Sequence, residues 1–276
     1  MTYAKVILDS WNGHTRLTTM EIRFHRFILP EFNTHRVFSR NAASSRAIPV
    51  KKQIEAIKND PAWPVYWGKA QSGMSAHDEL TGVALEDTKY EWRLAMYNAL
   101  TAATYMDING LHKQLTTRVI EPFMWCTMIV SATEWDNFFT LRCPPECEVD
   151  PRFPAQPEMQ YLASKMKKAL DYSKPERIVP GDWHIPFLKD EEKDFDLYIK
   201  LRVSAARCAR ISYLNHEGVM DTKKDLELAK RLIEDKHMSP LEHQAQDRAN
   251  SRDYANFKGW LQFRHSEVIY DAQNNR

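Results

Sequence analysis

The amino-acid sequence predicts an α+β protein with a mixed sheet and many helices. Two extended runs, residues 5–10 and 17–24, are separated by Asn12 and Gly13, which is a pattern typical of a β-hairpin. Most later segments instead space their apolar residues with the period of an α-helix. The 276 residues, 43% hydrophobic and 27% charged, are enough to bury a sizeable core and have the composition of a soluble globular protein.

The middle of the chain is predicted to be mainly helical. Residues 33–46 are polar, as in a loop or the start of a helix. The spacing predicts a short helix over residues 51–59 and a long one over 85–109, which ends at Gly110. Residues 111–141 are apolar and aromatic, and we interpret them as a buried helix pair.

The second half contains one loop and one linker-like stretch. Four prolines within residues 143–154 indicate a loop. Residues 173–198 carry three prolines and the charged run KDEEKDFD, so we expect a linker-like stretch inside a single domain that spans 1–276. The remaining helical or buried segments are residues 156–170, 203–213 and 223–236.

Charge argues against some classes of partner. The net charge is +1, which is less imbalance than a protein that coats nucleic acid or an anionic membrane usually has. Anion binding should therefore depend on a few placed arginines. No apolar run is long enough to span a membrane, and the N-terminus MTYAKVILDS lacks the layout of a signal peptide. We expect a cytoplasmic protein.

Four cysteines give little indication of a metal. Cys143 and Cys147 form a C-x3-C pair, but no second pair follows and no histidine lies near them in sequence, so we predict no metal site. Neither residue has an obvious activating partner. Cys126 and Cys208 have the surroundings of small buried residues.

The densest polar cluster lies in residues 34–49, THRVFSRNAASSRAIP. Arg36, Ser39, Ser44 and Arg46 follow the spacing R-x2-S-x4-S-x-R. Guanidinium groups form paired charge-assisted bonds, and hydroxyl groups donate short ones, so the cluster suits a phosphate. A solvated loop whose serines cap helices is the other interpretation.

The motif H-R-x2-S-x4-S-x-R resembles the signature of flavin-dependent thymidylate synthases. The matching residues are His35, Arg36, Ser39, Asn41, Ser44 and Arg46. The resemblance implies that the first part contacts FAD, and that Ser44, Ser45 and Arg46 bind the nucleotide phosphate. Thr34 and Ala42 depart from it, because the family commonly has Arg and Glu at these positions.

A second match joins residues 137–142, NFFTLR, to residues 155–159, AQPEM. It resembles a family segment in which L-R is followed closely by A-Q-x-E-I-R, and it implies that Arg142 lies on the flavin side of the site. Residues 143–154 resemble an insertion. Gln160 replaces the family's last Arg, which contacts the base, and an amide can pair with uracil or with cytosine.

A third match lies late in the chain. Residues 205–213, AARCARISY, and 237–243, HMSPLEH, resemble the family's opening segments A-R-V-S-Y and H-E-S-P-F-E-H. Here they follow the other motifs, so the sequence resembles a circularly permuted member of the family, an arrangement that folds tolerate when their ends lie close together. The resemblance implies that Ser212, His237 and Ser239 contact FAD. Chance helix-cap patterns are the alternative.

The resemblance implies a reaction. Methylenetetrahydrofolate would supply one carbon to C5 of a pyrimidine deoxynucleotide, converting dUMP to dTMP. FAD would carry the hydride, NADPH would reduce the flavin, and Arg46 and Gln160 would act at the substrate. The resemblance also implies a homotetramer with shared sites.

Two other functions stay open. Gln160 and the insertion suggest a dCMP methylase or hydroxymethylase. The second is a non-catalytic nucleotide- or RNA-binding protein that kept the fold. Separately, NFKGWLQFRH, residues 256–265, alternates aromatic with basic residues, a pattern that can stack bases. An amphipathic helix is the plainer interpretation of that segment.

Overall fold

The predicted hairpin forms the first two strands of the structure. The computed structural model describes residues 1–211, 221–248 and 255–266. Strand β1, Tyr3–Trp11, pairs antiparallel with β2, Arg16–His25. At the turn between them Gly13 has φ 95°, a conformation open to glycine, and the Asn12 side chain accepts from the backbone of Thr15 at 2.8 Å.

The described residues form two sheets, which confirms the α+β class. The larger has the order β3-β4-β2-β1-β5, with β5 parallel to β1 and the other neighbours antiparallel. The smaller has the order β6-β7-β8. The remaining strands are β3 (Ser39–Ala42), β4 (Trp125–Ala132), β5 (Glu176–Arg177), β6 (Trp183–His184), β7 (Ala245–Asp247) and β8 (Trp260–Gln262).

Helices cover the larger sheet and the regions beside it. They are α1 (Leu29–Phe32), α2 (Val50–Asn59), α3 (Gly82–Ile108), α4 (Lys113–Thr116), α5 (Asp136–Arg142), α6 (Pro157–Tyr172), α7 (Leu197–Arg210) and α8 (Thr222–Glu234). The predicted helices at residues 51–59, 85–109, 156–170 and 223–236 are confirmed as α2, α3, α6 and α8. Among the described residues, none of these helices has the length and apolar character needed to cross a bilayer.

The main core lies between β2, β4 and α6. Met20 and Ile22 of β2 pack with Val130 of β4 against Met159 and Leu162 of α6. All five side chains are fully buried. Burying one such side chain is worth about 1.5–3 kcal/mol. The motifs therefore stand on a rigid sheet.

The interpretation of residues 111–141 as a helix pair is wrong. Residues 125–132 form β4, which lies between β2 and β3. Six residues in this strand are buried, so its apolar run has no alternation, and periodicity alone cannot distinguish it from a buried helix. The loop or helix start predicted over 33–46 likewise contains a strand, β3.

Residues 173–198, predicted to be linker-like, contain two short strands. β5 continues the larger sheet beside β1, and β6 belongs to the smaller one. His184 in β6 is fully buried. The prolines of this stretch mark its bends, whereas its short strands have no periodic signal.

The C-terminal residues 256–265 are not an amphipathic helix. They contain β8 and a single 3-10 turn, and Phe257, Trp260 and Phe263 are all fully buried. Only Trp260 of these aromatic residues lies in the strand, and the other two flank it in the core.

Candidate functional site

The site predicted from the sequence is arranged around the short strand β3. Pairing with β4 places Ser39 opposite Ser131 and Asn41 opposite Ile129. Ser39 and Asn41 are buried while Arg40 between them is half-buried, as expected for a strand with one inward face. β3 therefore turns two of its motif residues into the protein.

Asn41 joins the first and third motifs. Its Nδ2 donates to the carbonyl of Cys208 in α7 at 2.7 Å, and the Ser239 hydroxyl donates to its Oδ1 at 3.4 Å. Three segments that are far apart in sequence thus meet at one buried amide. The convergence of these segments is a structural finding, whereas the circular permutation stays a prediction.

His35 and Arg142 join the first and second motifs. The Nε of Arg142 donates to Nε2 of His35 at 3.2 Å, and Arg142 also forms an ion pair with Glu31. The His35 ring lies edge-to-face on Phe138, with ring centres 4.9 Å apart. Burial, followed by the charge of Arg142, lowers the pKa of His35 to about 4, so its ring is neutral at pH 7 with Nε2 as the acceptor.

Two motif arginines face solvent. Arg36 and Arg46 are exposed, and neither has a hydrogen bond or ion pair to the described part of the chain. Ser44 is half-buried, and His237 and Ser239 are exposed. Because an unpaired guanidinium keeps its donors for a ligand, this rim of β3 can bind an anion such as a phosphate.

A small cleft of about 100 Å³ lies beside this rim. Its arginines are already paired: Arg23 with Asp60 at 2.8 Å, and Arg26 with Glu121 at 3.0 Å. The residues that line the cleft are Arg23, Arg26, Ala43, Ser44, Ser45, Ile48, Gln53, Ala56, Ile57, Asp60, Met124, Trp125 and Thr127. Its charge is balanced internally, so the exposed arginines are the stronger attraction for an anion.

Two serines of the motif are committed inside the protein. The Ser39 hydroxyl accepts from the Gln262 amide at 2.7 Å and from the Asn256 amide at 3.1 Å. Ser45 is buried and donates to Glu121 at 2.6 Å. Both hydroxyls therefore help to hold the segment in place, and their contacts with FAD and nucleotide stay a prediction.

The side chain of Gln160 is also hydrogen-bonded within the protein. Its side chain is fully buried, its oxygen accepts from the Asp150 backbone N–H at 2.8 Å, and its nitrogen donates to the Ala155 carbonyl at 2.7 Å. Contact with a base would require breaking these bonds. The amide therefore fastens the inserted segment 143–154 to α6. Ser212, assigned to FAD, lies outside the described residues.

Sequence reasoning missed the partners of the motif residues. Arg40 lies inside the motif and donates to the Asn33 and His35 carbonyls at 2.8 and 3.2 Å, which fixes the turn before β3. Glu31 pairs with Arg142 from a position with no motif of its own. A charged residue one helical turn from a motif is a weak signal, and only the fold identifies its partner.

A buried polar chain crosses between the two sheets. The His184 ring bonds to Ser10 at 2.8 Å and to Thr19 at 2.8 Å, Thr19 bonds to Ser131 at 2.6 Å, and Ser131 bonds to His243 at 2.9 Å. Burial lowers the pKa of each histidine to about 3. Both rings are therefore neutral and serve as structural links.

Comparisons with known proteins give distant likenesses only. No model of a protein family and no curated protein matches the sequence. Two solved structures of a UMP/dUMP methylase, PolB from Streptomyces cacaoi, are similar to part of the chain. The one bound with 5-Br dUMP has 14% identity and TM-score 0.43, and the match covers 56% of this chain and 66% of that chain. The one bound with 5-Br UMP has 13% identity and TM-score 0.42, covering 56% and 68%.

Proposed function

We propose that the protein transfers a one-carbon unit from methylenetetrahydrofolate to C5 of a pyrimidine deoxynucleotide, with dUMP as substrate and dTMP as product. The observation that carries the proposal is the meeting of three separated motifs around β3. Asn41 contacts the Cys208 and Ser239 segments, and Arg142 contacts His35. Motifs that matched by chance would have no reason to meet.

The exposed arginines would bind the anionic groups of the two ligands. Arg46 and Arg36 have unpaired guanidinium groups, and Ser44 is half-buried. Arg46 and Ser44 would bind the nucleotide phosphate, while Arg36, with His237 and Ser239, suits the pyrophosphate of FAD, so the residues present fit that cofactor. When bound, a reduced flavin supplies the hydride, and NADPH is the proposed reductant.

The pair formed by His35 and Arg142 would orient ligands at the inner side of this rim. The ring is neutral, and Glu31 balances the charge of Arg142. Together, His35, Arg142 and Glu31 carry no net charge, so they could position the ring of a bound ligand without exerting a net charge on it. Burial raises the pKa of Cys126 and Cys143 to about 11, so neither thiol is an activated nucleophile for this reaction.

Two alternatives stay beside this proposal. The first is a dCMP methylase or hydroxymethylase; the Gln160 amide that would read the base bonds to the inserted segment, so it favours neither uracil nor cytosine. The second is a non-catalytic nucleotide- or RNA-binding protein that kept the fold; the aromatic residues of 256–265 that could stack bases, Phe257, Trp260 and Phe263, are buried.

A homotetramer remains part of the proposal. Helix α3 buries only a narrow side, which contains Met96, Leu100 and Ala103. Its exposed apolar residues are Val83, Tyr90, Leu94, Tyr97, Tyr105 and Ile108. Contact between copies would cover them. Light scattering of the purified protein measures the number of copies directly.

The function is tested by a spectrum followed by an assay. The purified protein should absorb as a flavoprotein, or gain flavin bands when FAD is added. With methylenetetrahydrofolate and NADPH, dUMP should gain a methyl group, detected by mass spectrometry. Arg46→Gln should weaken dUMP binding by about ten- to hundred-fold, the value of a lost charge-assisted bond.

The control is Arg231→Gln, which removes an exposed arginine of α8 that has no described ion pair. It should leave the dissociation constant unchanged. Deoxyuridine without its phosphate should bind the native protein and Arg46→Gln alike. A colourless protein that modifies neither dUMP nor dCMP would contradict the proposal, and methylation of dCMP alone would move the function to cytosine.

A further inference from the structure

A pair of cysteines lies where α5 ends, outside the residues used by the proposed function. Cys143 follows the last residue of α5, and a tight turn then returns the chain, with the Cys147 N–H donating to the Pro144 carbonyl at 2.9 Å. Cys147 has a left-handed backbone, φ 53°. The two sulfur atoms lie 3.6 Å apart. A turn of this shape places the C-x3-C thiols in contact.

We propose that Cys143 and Cys147 are a redox modification site, at which a low-molecular-mass disulfide such as oxidised glutathione converts the two thiols into an intramolecular disulfide. A disulfide requires sulfurs about 2 Å apart, a distance that rotation of the two side chains can reach from their present contact. The site is independent of the nucleotide chemistry proposed above.

The surroundings of the two thiols indicate that Cys147 reacts first and Cys143 second. Cys147 is half-buried and is the one that a reagent can approach, whereas Cys143 is buried. Burial raises the pKa of Cys143 to about 11. The ammonium of Lys167, which also pairs with Asp171 at 2.9 Å, acts against that rise in the pKa of Cys143 because it favours the thiolate. A cation beside a partly exposed thiol is the environment in which cysteines react.

The exchange proceeds in two displacements. The thiolate of Cys147 attacks one sulfur of oxidised glutathione, breaks its S–S bond and expels one glutathione thiolate. The thiolate of Cys143 then attacks the Cys147 sulfur and expels the second. The two cysteine protons end on the two released glutathiones, so the protein loses two electrons and two protons while glutathione disulfide is reduced.

Two other fates for this pair are less well supported. A structural metal needs four ligands, and no group of three or more His, Cys, Asp or Glu side chains in the described ranges could hold an ion. Pairing with Cys126 or Cys208 would need those residues to leave the core, where both are fully buried. The 3.6 Å contact leaves Cys143 and Cys147 as natural partners for each other.

The test is oxidation of the full-length protein with oxidised glutathione, followed by thiol counting in denaturant and peptide mapping. We expect the native protein to lose two of its four thiols and to yield a peptide linked through Cys143 and Cys147. Dithiothreitol should restore all four. The map identifies the linked residues without any variant, so the result does not depend on a mutant that folds.

Variants make the assignment specific. Cys147→Ser should form no intramolecular disulfide, whereas the matched control Cys208→Ala should still lose two thiols. Lys167→Gln should oxidise several-fold more slowly than native protein, and Lys168→Gln, an exposed neighbour on the same helix, should not. The proposal is overturned if the native protein keeps four free thiols, forms only mixed disulfides with glutathione, or links any other pair.

Discussion

Arg207, which lies in the segment 205–213, and the two exposed motif arginines beside β3 have opposite environments in this protein. Arg207 in α7 is 2% exposed, bonds to both oxygens of Glu192 at 2.5 and 2.6 Å, and bonds to Asp225 at 2.9 Å. Arg36 and Arg46 beside β3 are exposed and have no partner in the described ranges. A motif arginine with two buried carboxylates maintains the fold, while an unpaired one at the surface is available to a ligand.

The buried arginine group should dominate stability. Arg207→Met leaves Glu192 and Asp225 buried without a full counter-charge, which costs about 3–5 kcal/mol of the free energy of unfolding. Denaturant unfolding measures this loss. Arg231→Met, at an exposed position of α8, is the matched control and should change stability by less than about 0.5 kcal/mol. Equal losses in the two variants would remove the distinction between the regions.

Acid should destabilise the buried hydrogen-bond chain that contains His184 and His243. His184 and His243 are neutral when folded, with pKa values lowered to about 3 by burial, but they accept protons near pH 6.5 when unfolded. The unfolded state therefore binds more protons between these values, and stability falls as the pH drops below about 6.5. Each histidine contributes a slope of about 1.4 kcal/mol per pH unit.

Urea unfolding at pH 7.5, 6 and 5 measures that slope, and stability should be flat above pH 7. His243→Gln keeps a polar partner for Ser131 and should reduce the slope by about one histidine's share. A slope that is the same in the variant and the native protein would mean that His243 does not titrate on unfolding.

One substitution can show whether Gln160 stabilises the fold or contacts the ligand. Gln160→Met keeps the length but loses the bonds to Asp150 and Ala155, so we expect a loss of about 1–3 kcal/mol and faster proteolysis within 143–154. Lys168→Met on the same helix is the control. Intact stability with lost dUMP turnover would instead place Gln160 at the base.

The smallest effect on stability should come from the exposed rim. Arg36→Gln and Arg46→Gln should each change the free energy of unfolding by less than about 0.5 kcal/mol, because neither guanidinium has a described partner to lose. Thermal unfolding of both variants beside native protein checks this. A larger loss of stability would show that these arginines stabilise the fold. Their guanidinium groups would then not be free to bind a ligand.

Local sequence patterns predicted elements well where one face of the element is buried. The hairpin of β1 and β2 follows from Asn12 and Gly13, and α8 follows from its amphipathic spacing. β4 was missed because both of its faces are covered, so its pattern does not alternate. Burial on both faces depends on the partners of a strand, which local sequence does not contain.

Resemblance located the candidate site, but it did not assign the task of each residue. Arg36 and Arg46 face solvent as a ligand site requires, whereas Ser39, Ser45 and Gln160 each bond to the protein itself. A motif fixes the position of a side chain along the chain. Whether its polar atoms are free depends on distant segments, such as Gln262 opposite Ser39, and therefore on the fold.

The contact of Asn41 with Cys208 and Ser239 also constrains when the site can form during synthesis. The pairing of β1 with β2 is local in sequence, so this hairpin can form as soon as it leaves the ribosome. β3 must wait for about eighty further residues before β4 is available, and for about two hundred before Ser239 is. Ligand binding should therefore appear late in translation, after most of the sheet has already formed.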